Sequence, residues 1–220
     1  MKLPTFSEEK NLWMNGVEYV IGVDEVGRGC FAGPVTAGAV VFKIDSNFDN
    51  TILSKINDSK LLNPKTRAIL SKKIKNEALF YSLSTVGVST INKVGIGKAT
   101  QTAIRKCIAE VLIQVANNKS LNFVLIDGFN IKHIRGIGLR NQKGIVKGDR
   151  KSISIAAASI IAKVHRDKLM RKLNKSYPQY GFYRNKGYGT KLHQAAIRNH
   201  GLSDIHRTSF NLEKFLASSI

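Results

Sequence analysis

The sequence predicts an α/β fold, and three observations predict it. Short apolar runs of strand length, Val20 to Val23, Ala39 to Phe42 and Phe123 to Ile126, are interleaved with stretches whose apolar residues recur at helical spacing. The clearest helix, Ile153 to Leu173, opens on Ala156, Ala157, Ala158 and Ser159, side chains small enough to let a helix lie close against a sheet. With 220 residues, 43% of them hydrophobic, the chain can bury one real core.

The elements follow in order. Residues 1–18 are a short polar lead-in, with Trp13 tucked against the fold. Tyr19 to Phe42 is the organising stretch: a buried strand through Val20, Ile21 and Val23, then the carboxylates Asp24 and Glu25 where the strand should end. Gly27, Arg28, Gly29 and Gly33-Pro34 make a tight connection to a second strand ending at Phe42. Asp58-Ser59-Lys60 occupies a loop before a helix that starts at Asn63-Pro64, with Ala68, Ile69 and Ile74 on its apolar stripe. Leu79 to Val88 alternates as a strand, and Thr90 to Ala116 is a long helix whose early Gly95 and Gly97 make its first part irregular. Phe123 to Ile126 has the continuous apolar character of a central strand and ends in Asp127-Gly128. A short strand over Gly144 to Val146 precedes Asp149, which stands ahead of the Ile153 helix where its dipole favours a carboxylate. Beyond Tyr177-Pro178 the composition turns aromatic and basic, and Thr190 caps a helix from Lys191 to His200 that Gly201 ends. The expected division is a lead-in (1–18), an α/β core (19–175) and a docked helical extension (176–220), all one structural unit.

Charge restricts the partner. Lys and Arg number 35 against 15 Asp and Glu, a net +20 that points to a polyanion. Nucleic acid is favoured over a membrane, since no segment is a basic amphipathic anchor or an apolar span. Cys30 and Cys107 have neither metal-ligand nor redox spacing, and the N-terminus lacks the apolar core of a secretory signal. A cytoplasmic protein with packed free thiols is expected.

Against that basic background, Asp24, Glu25, Asp127 and Asp149 all fall at element ends. A lone Asp-Glu doublet reads as a polar strand end and a lone Asp-Gly as a turn. Four carboxylates meeting at one place instead repel one another unless cations neutralise them, and hard oxygen ligands suit Mg2+ or Mn2+. No zinc spacing or phosphate-binding P-loop is present. An acid cluster on a polyanion-seeking chain suggests two-metal phosphodiester hydrolysis. Ideal alternation would send Asp24 and Glu25 to opposite faces, so the strand is expected to end or bend there.

At this point the sequence closely resembles ribonuclease HII, the bacterial type 2 ribonuclease H. The resemblance rests on Gly22-Val23-Asp24-Glu25-Val26-Gly27-Arg28-Gly29, Gly33-Pro34-Val35, Asp58-Ser59-Lys60, Ile126-Asp127-Gly128 and Gly148-Asp149 with the helix after it. Tyr180-Gly181-Phe182, Gly187-Tyr188-Gly189-Thr190 and His206-Arg207-Thr208-Ser209-Phe210 complete it. It implies a ribonuclease H-like mixed β-sheet flanked by helices with a helical C-terminal extension. It implies an endonuclease that cuts the RNA strand of RNA–DNA hybrids and cuts 5′ of ribonucleotides embedded in duplex DNA, leaving 3′-OH and 5′-phosphate ends. Asp24 and Asp127 match the principal metal ligands, with Glu25 and Asp149 completing two sites. Gly27, Arg28 and Gly29 match the loop that reads the ribose 2′-hydroxyl, and Tyr188 the tyrosine that packs on the sugar. A monomer is expected, and a clamp partner is left open because Phe210 and Phe215 stand apart in a short tail. The short lead-in favours type HII over type HIII, which carries a substantial N-terminal domain.

Without the resemblance, Arg28 fits a fold-bracing ion pair as well as a substrate contact, and Tyr188 a packed aromatic. Asp167, beside Arg166 in a helix, reads as a structural ion-pair partner; His165, His193 and His206 read as hydrogen-bonding groups or phosphate contacts. Two other classes compete. A non-catalytic RNA- or ribosome-binding protein accounts for the charge and not the four acids. A junction resolvase accounts for the acids and not the Gly-Arg-Gly loop or Tyr188.

Overall fold

Strand β1 (Tyr19–Val26) has a partner on each side. In the computed structural model, which describes residues 3–44, 46, 51–115 and 121–213, it runs antiparallel to β2 (Val35–Val41) and parallel to β4 (Asn122–Asp127). Strand β3 (Phe80–Val86) extends the sheet beyond β2, and β5 (Gln142–Ile145) beyond β4, giving the order β3-β2-β1-β4-β5. The parallel β1–β4 pair and the antiparallel β1–β2 pair make it the mixed sheet that was expected.

Both faces are covered, which is why β1, β2 and β4 are apolar without clean alternation. Helix α3 (Val88–Val115) packs on one face against Ile21, Val23, Val124 and Ile126. Helix α4 (Ile153–Ser176) covers the other, with α2 (Pro64–Glu77) beside it around Val40 and Phe42. The small residues of α4 do what their size suggests. A Cβ on Gly22 would lie 2.2 Å from the Ser154 carbonyl carbon, and one on Gly38 would lie 2.6 Å from the Ala158 oxygen. Helix and strands touch backbone to backbone there.

Several local expectations change. The lead-in carries a helix, α1 (Ser7–Met14), whose buried Glu9 accepts hydrogen bonds from the Ser152 hydroxyl, 2.6 Å, and the Ser154 N–H, 2.9 Å. A carboxylate thus joins the N-cap Ser152 at the start of α4, the end of the dipole that favours it. On α2 the inward residues are Arg67, Leu70, Ser71 and Ile74, whereas Ala68 and Ile69 face outward. Arg67 takes the inner position because its guanidinium finds the Ser59 and Leu62 carbonyl oxygens at 2.7 and 2.6 Å. Helix α3 is interrupted at Gly95, whose φ of 80° is left-handed, as its glycines foretold.

The C-terminal part, with α5 (Phe182–Asn185) and α6 (Lys191–His200), docks through Phe31, Met170, Tyr180, Phe182, Ile197 and Leu212. Thr190 caps α6 by accepting from the His193 N–H, as expected. Among the described residues no helix is long and apolar enough to cross a membrane. Phe215 lies outside the described residues.

Candidate active site

The site forms where β1 and β4 stop pairing. Their ladder closes on Val23 opposite Ile126, so the next residue on each strand, Asp24 and Asp127, emerges from the sheet beside the other. By strand parity both belong to the face covered by α4. β1 neither ends nor bends at the doublet: it stays paired with β2 to the Val26–Thr36 step. Glu25 therefore takes the opposite face, and it still reaches the site because β4 no longer shields that edge.

A third strand end supplies the next acid. After β5 the chain makes a 3-10 turn, Gly148–Arg150, before α4. The Gly148 N–H donates to Asp127 Oδ1 at 2.7 Å, tying the turn that carries Asp149 to the end of β4. Arg150 pairs with buried Asp58 at 2.9 Å and fixes the turn from its other side.

The electrostatics are those of a crowded, partly dry cluster. Burial pushes the Asp24 carboxyl well above the usual carboxylate range, and the charges of Glu25, Asp127 and Asp149 push it further, against a hydrogen bond with Ser159. Glu25 is raised by burial, opposed by Arg28, whose guanidinium lies 3.4 Å away. Burial first, then Asp58 and Asp127, raises Asp149. Among the described residues no three His, Cys, Asp or Glu side chains already enclose one point. The group is an open, mutually repelling set of carboxylate oxygens, which fits a hard divalent cation by its donor chemistry.

Asp24, Glu25 and Asp127 line a cleft of about 680 Å³ that also holds Lys60, Arg67, Lys163, Arg171, Arg184 and Lys186. Asp149, buried, is not among the residues that line it. Gly27, Arg28, Gly29 and Tyr188 line the same cleft, so seven of the eight residues singled out above share one cavity. Arg28 is both exposed and paired with Glu25, and Tyr188 presents its ring to the cleft between Lys163 and Arg166. Burial and the neighbouring Cys30 push the Tyr188 hydroxyl up to about 12, so it stays protonated as a donor. The thiols are packed, as expected; burial raises Cys107 to about 12.

Sequence reasoning passed over the groups that hold the loop. Arg166 and Arg207 are both fully buried. Arg166 donates to the carbonyl oxygens of Pro34, 2.8 Å, and Lys186, 2.9 Å; Arg207 donates to those of Gly33, 3.0 Å, and Arg28, 2.8 Å. A Cβ on Gly27, whose φ is +92°, would fall 2.0 Å from Arg166 Nε. Asp167 consequently pairs not with Arg166 but with Lys163 at 2.8 Å and Arg67 at 3.8 Å. The signal was present in the His206-Arg207 motif, but a buried arginine bonded only to carbonyls leaves no mark in composition.

Two of the histidines, His193 and His206, form a relay of neutral rings. The Ser203 N–H donates to His206 Nδ1 at 2.9 Å, the two Nε2 atoms of His206 and His193 lie 3.1 Å apart, and His193 Nδ1 faces the Tyr188 carbonyl oxygen at 2.9 Å. That network assigns one proton to each ring, because His193 must donate to the carbonyl. Burial lowers both, His206 to about 4.

Comparison with known proteins shows the family and the fold. The family model described as Ribonuclease HII matches residues 21–213. A ribonuclease HII of Wolbachia pipientis subsp. Culex pipiens is 44% identical over 210 residues, covering 96% of this chain and 97% of the relative. Two solved structures share the fold. The Archaeoglobus fulgidus ribonuclease HII, in its complex with PCNA, aligns with a TM-score of 0.70 at 22% identity, covering 91% of this chain and 98% of that one. The Bst ribonuclease HIII in complex with Mn2+ aligns with a TM-score of 0.70 at 21% identity, covering 90% and 69%.

Proposed function

The chain belongs to the ribonuclease HII family of nucleases, and on that footing we propose that it cuts the RNA strand of RNA–DNA hybrids and cuts 5′ of single ribonucleotides in duplex DNA. One observation carries this reading: buried Asp24 and half-buried Asp127 emerge side by side in a cleft walled by lysines and arginines. The cations draw in a phosphate backbone and bring it to the acids that line the same cleft.

Each residue then has a role. Asp24 and Asp127 would be the principal ligands of two divalent ions, with Glu25 and Asp149 completing the two sites. Two such ions, Mg2+ or Mn2+, would supply an activated water and a counter-charge for the departing 3′ oxygen, leaving 3′-OH and 5′-phosphate ends. The manganese found with the Bst relative supports that class of metal. Lys163 and Lys186, at the cleft wall, orient the phosphate. The Gly27–Gly29 backbone, held by Arg207 and packed on Arg166, meets the 2′-hydroxyl, the group that separates ribose from deoxyribose. The Tyr188 ring packs on the adjoining sugar and sets the scissile phosphate over the acids.

The Archaeoglobus complex offers PCNA as the class of partner to test here. The deciding experiment is cleavage of a duplex DNA carrying one ribonucleotide, with and without magnesium or manganese. Metal-dependent incision 5′ of the ribose is expected; binding without incision under every metal condition would leave a nucleic-acid-binding protein instead.

A further inference from the structure

A second, smaller cavity of about 220 Å³ opens on the α3 side of the sheet. It shares Glu25, Arg28 and Asp127 with the larger cleft, so the acids stand on a common sill between two chambers. The larger chamber has an aromatic wall, Tyr188. The smaller has one too: Phe129, 80% exposed, two residues after Asp127.

Apart from the Glu25 and Asp127 carboxylates at the sill, the polar side chains around Phe129 can all donate. Thr100, on α3, is 5% exposed, and its hydroxyl has no hydrogen-bond partner. The Gln101 amide oxygen already accepts from Arg105 at 3.1 Å, which leaves its NH2 to donate. Asn130 Oδ1 already accepts from the Gly144 N–H, which leaves its NH2 as well. With Arg28 at the sill, the chamber offers donors, a flat apolar ring and a buried hydroxyl left unpaired. A sugar–phosphate unit answers all three: acceptor oxygens for the donors and a pentose face for the ring. The volume, roughly that of seven water molecules in the liquid, suits one such unit.

We propose that this chamber holds the sugar of the nucleotide flanking the scissile phosphate on the side away from Tyr188, with Phe129 packed against it and Thr100 donating to one of its oxygens. The proposal rests on the nuclease reading above. A strand whose phosphate lies over the acids must leave in two directions, and the molecule provides one aromatic-walled chamber for each. Phe129 and Thr100 act as positioning residues, aligning the phosphate from its second side.

The test uses a duplex with a short run of ribonucleotides in one strand, its cleavage positions mapped under single-turnover conditions. The nucleotides flanking one scissile phosphate are replaced in turn by a tetrahydrofuran abasic unit, which keeps the sugar, or by a three-carbon spacer, which drops it. On the intact duplex, Phe129→Ala should slow cleavage roughly tenfold, a loss typical of small misalignment. On one flank only, the spacer should slow the unaltered protein equally, add nothing to the Phe129→Ala loss, and leave the Tyr188→Ala loss intact. The abasic unit should be tolerated. Thr100→Val should lose cleavage rate without losing thermal stability, because it removes an unpaired buried hydroxyl; an unchanged rate would strike Thr100 from the proposal. An unchanged rate in Phe129→Ala, or spacer losses that multiply with it at both flanks, would overturn the proposal and leave the nuclease reading standing. No cleavage of the intact duplex by the unaltered protein would remove both.

Discussion

Asp24 and Asp127 are neighbours by strand register: each is the residue after the last rung, Val23 with Ile126, of the parallel ladder between β1 and β4. Their closeness is thus a property of backbone pairing, and it survives any change of side chain. Asp24→Asn and Asp127→Asn should each abolish cleavage, by on the order of 10³-fold or more, with hybrid affinity kept or raised. Single-turnover rates and a binding isotherm on the same hybrid check this. Ordinary activity in either folded variant would move the chemistry elsewhere.

Asp24→Asn should also stabilise the metal-free protein at neutral pH. The folded carboxyl is raised above its unfolded value, so between the two the folded state holds the extra proton. Stability attached to this group is therefore lost as pH rises through that window, and the amide does not lose it. Melting curves in chelator should show the variant ahead at neutral pH, with the gap closing on acidification.

The histidine relay has the opposite sign. His206 is lowered to about 4 from an ordinary 6.5, so the unfolded chain takes up a proton first and stability falls with pH across that range. His206→Gln should cost stability at neutral pH and progressively less towards pH 4.5. Because His193 reaches the Tyr188 carbonyl, the ring most exposed to the change is the one in the cleft. Thermal melts of both proteins over pH 4.5–7.5 test it; a constant gap would mean the two imidazoles titrate as free histidine.

Two glycines separate folding from reading. Gly22→Ala would force a methyl into the α4 backbone and should cost about 1–3 kcal/mol or more. At Gly29 a Cβ meets nothing within 4 Å, so Gly29→Ala should fold normally. It should nonetheless discriminate ribose from deoxyribose less well, seen as slower incision at a single ribonucleotide with little change in duplex affinity.

Tyr188→Ala should lower the single-turnover rate far more than the affinity, because affinity resides in phosphate contacts and the ring supplies alignment. Tyr188→Phe separates stacking from the hydroxyl: it keeps most of the rate if stacking dominates. Equal losses of rate and affinity in Tyr188→Ala would take the ring out of the site.

Much of this was legible in the sequence because it is written in local chemistry. Apolar runs marked β1 and β4, small residues marked the face of α4, and acids at strand ends marked the cluster. What escaped was set by where individual polar side chains turn. The carbonyl-bound guanidinia of Arg166 and Arg207 depend on partners 132 and 174 positions away in sequence. The inward turn of Arg67 and the pairing of Asp167 with Lys163 are local, 8 and 4 positions apart, but follow from which carbonyl or charge lies within reach and not from apolar periodicity. The expected bend at Asp24-Glu25 failed for a different reason. The doublet needs no bend, because β4 ends one rung early and opens both faces at once.

The bond from Arg207 to the Arg28 carbonyl joins residues 179 positions apart. During synthesis, then, the doublet and its glycine loop leave the ribosome long before the guanidinium that fixes their shape. The Gly27–Gly29 loop therefore takes its fixed shape only after Arg207 has been made, 179 residues after Arg28.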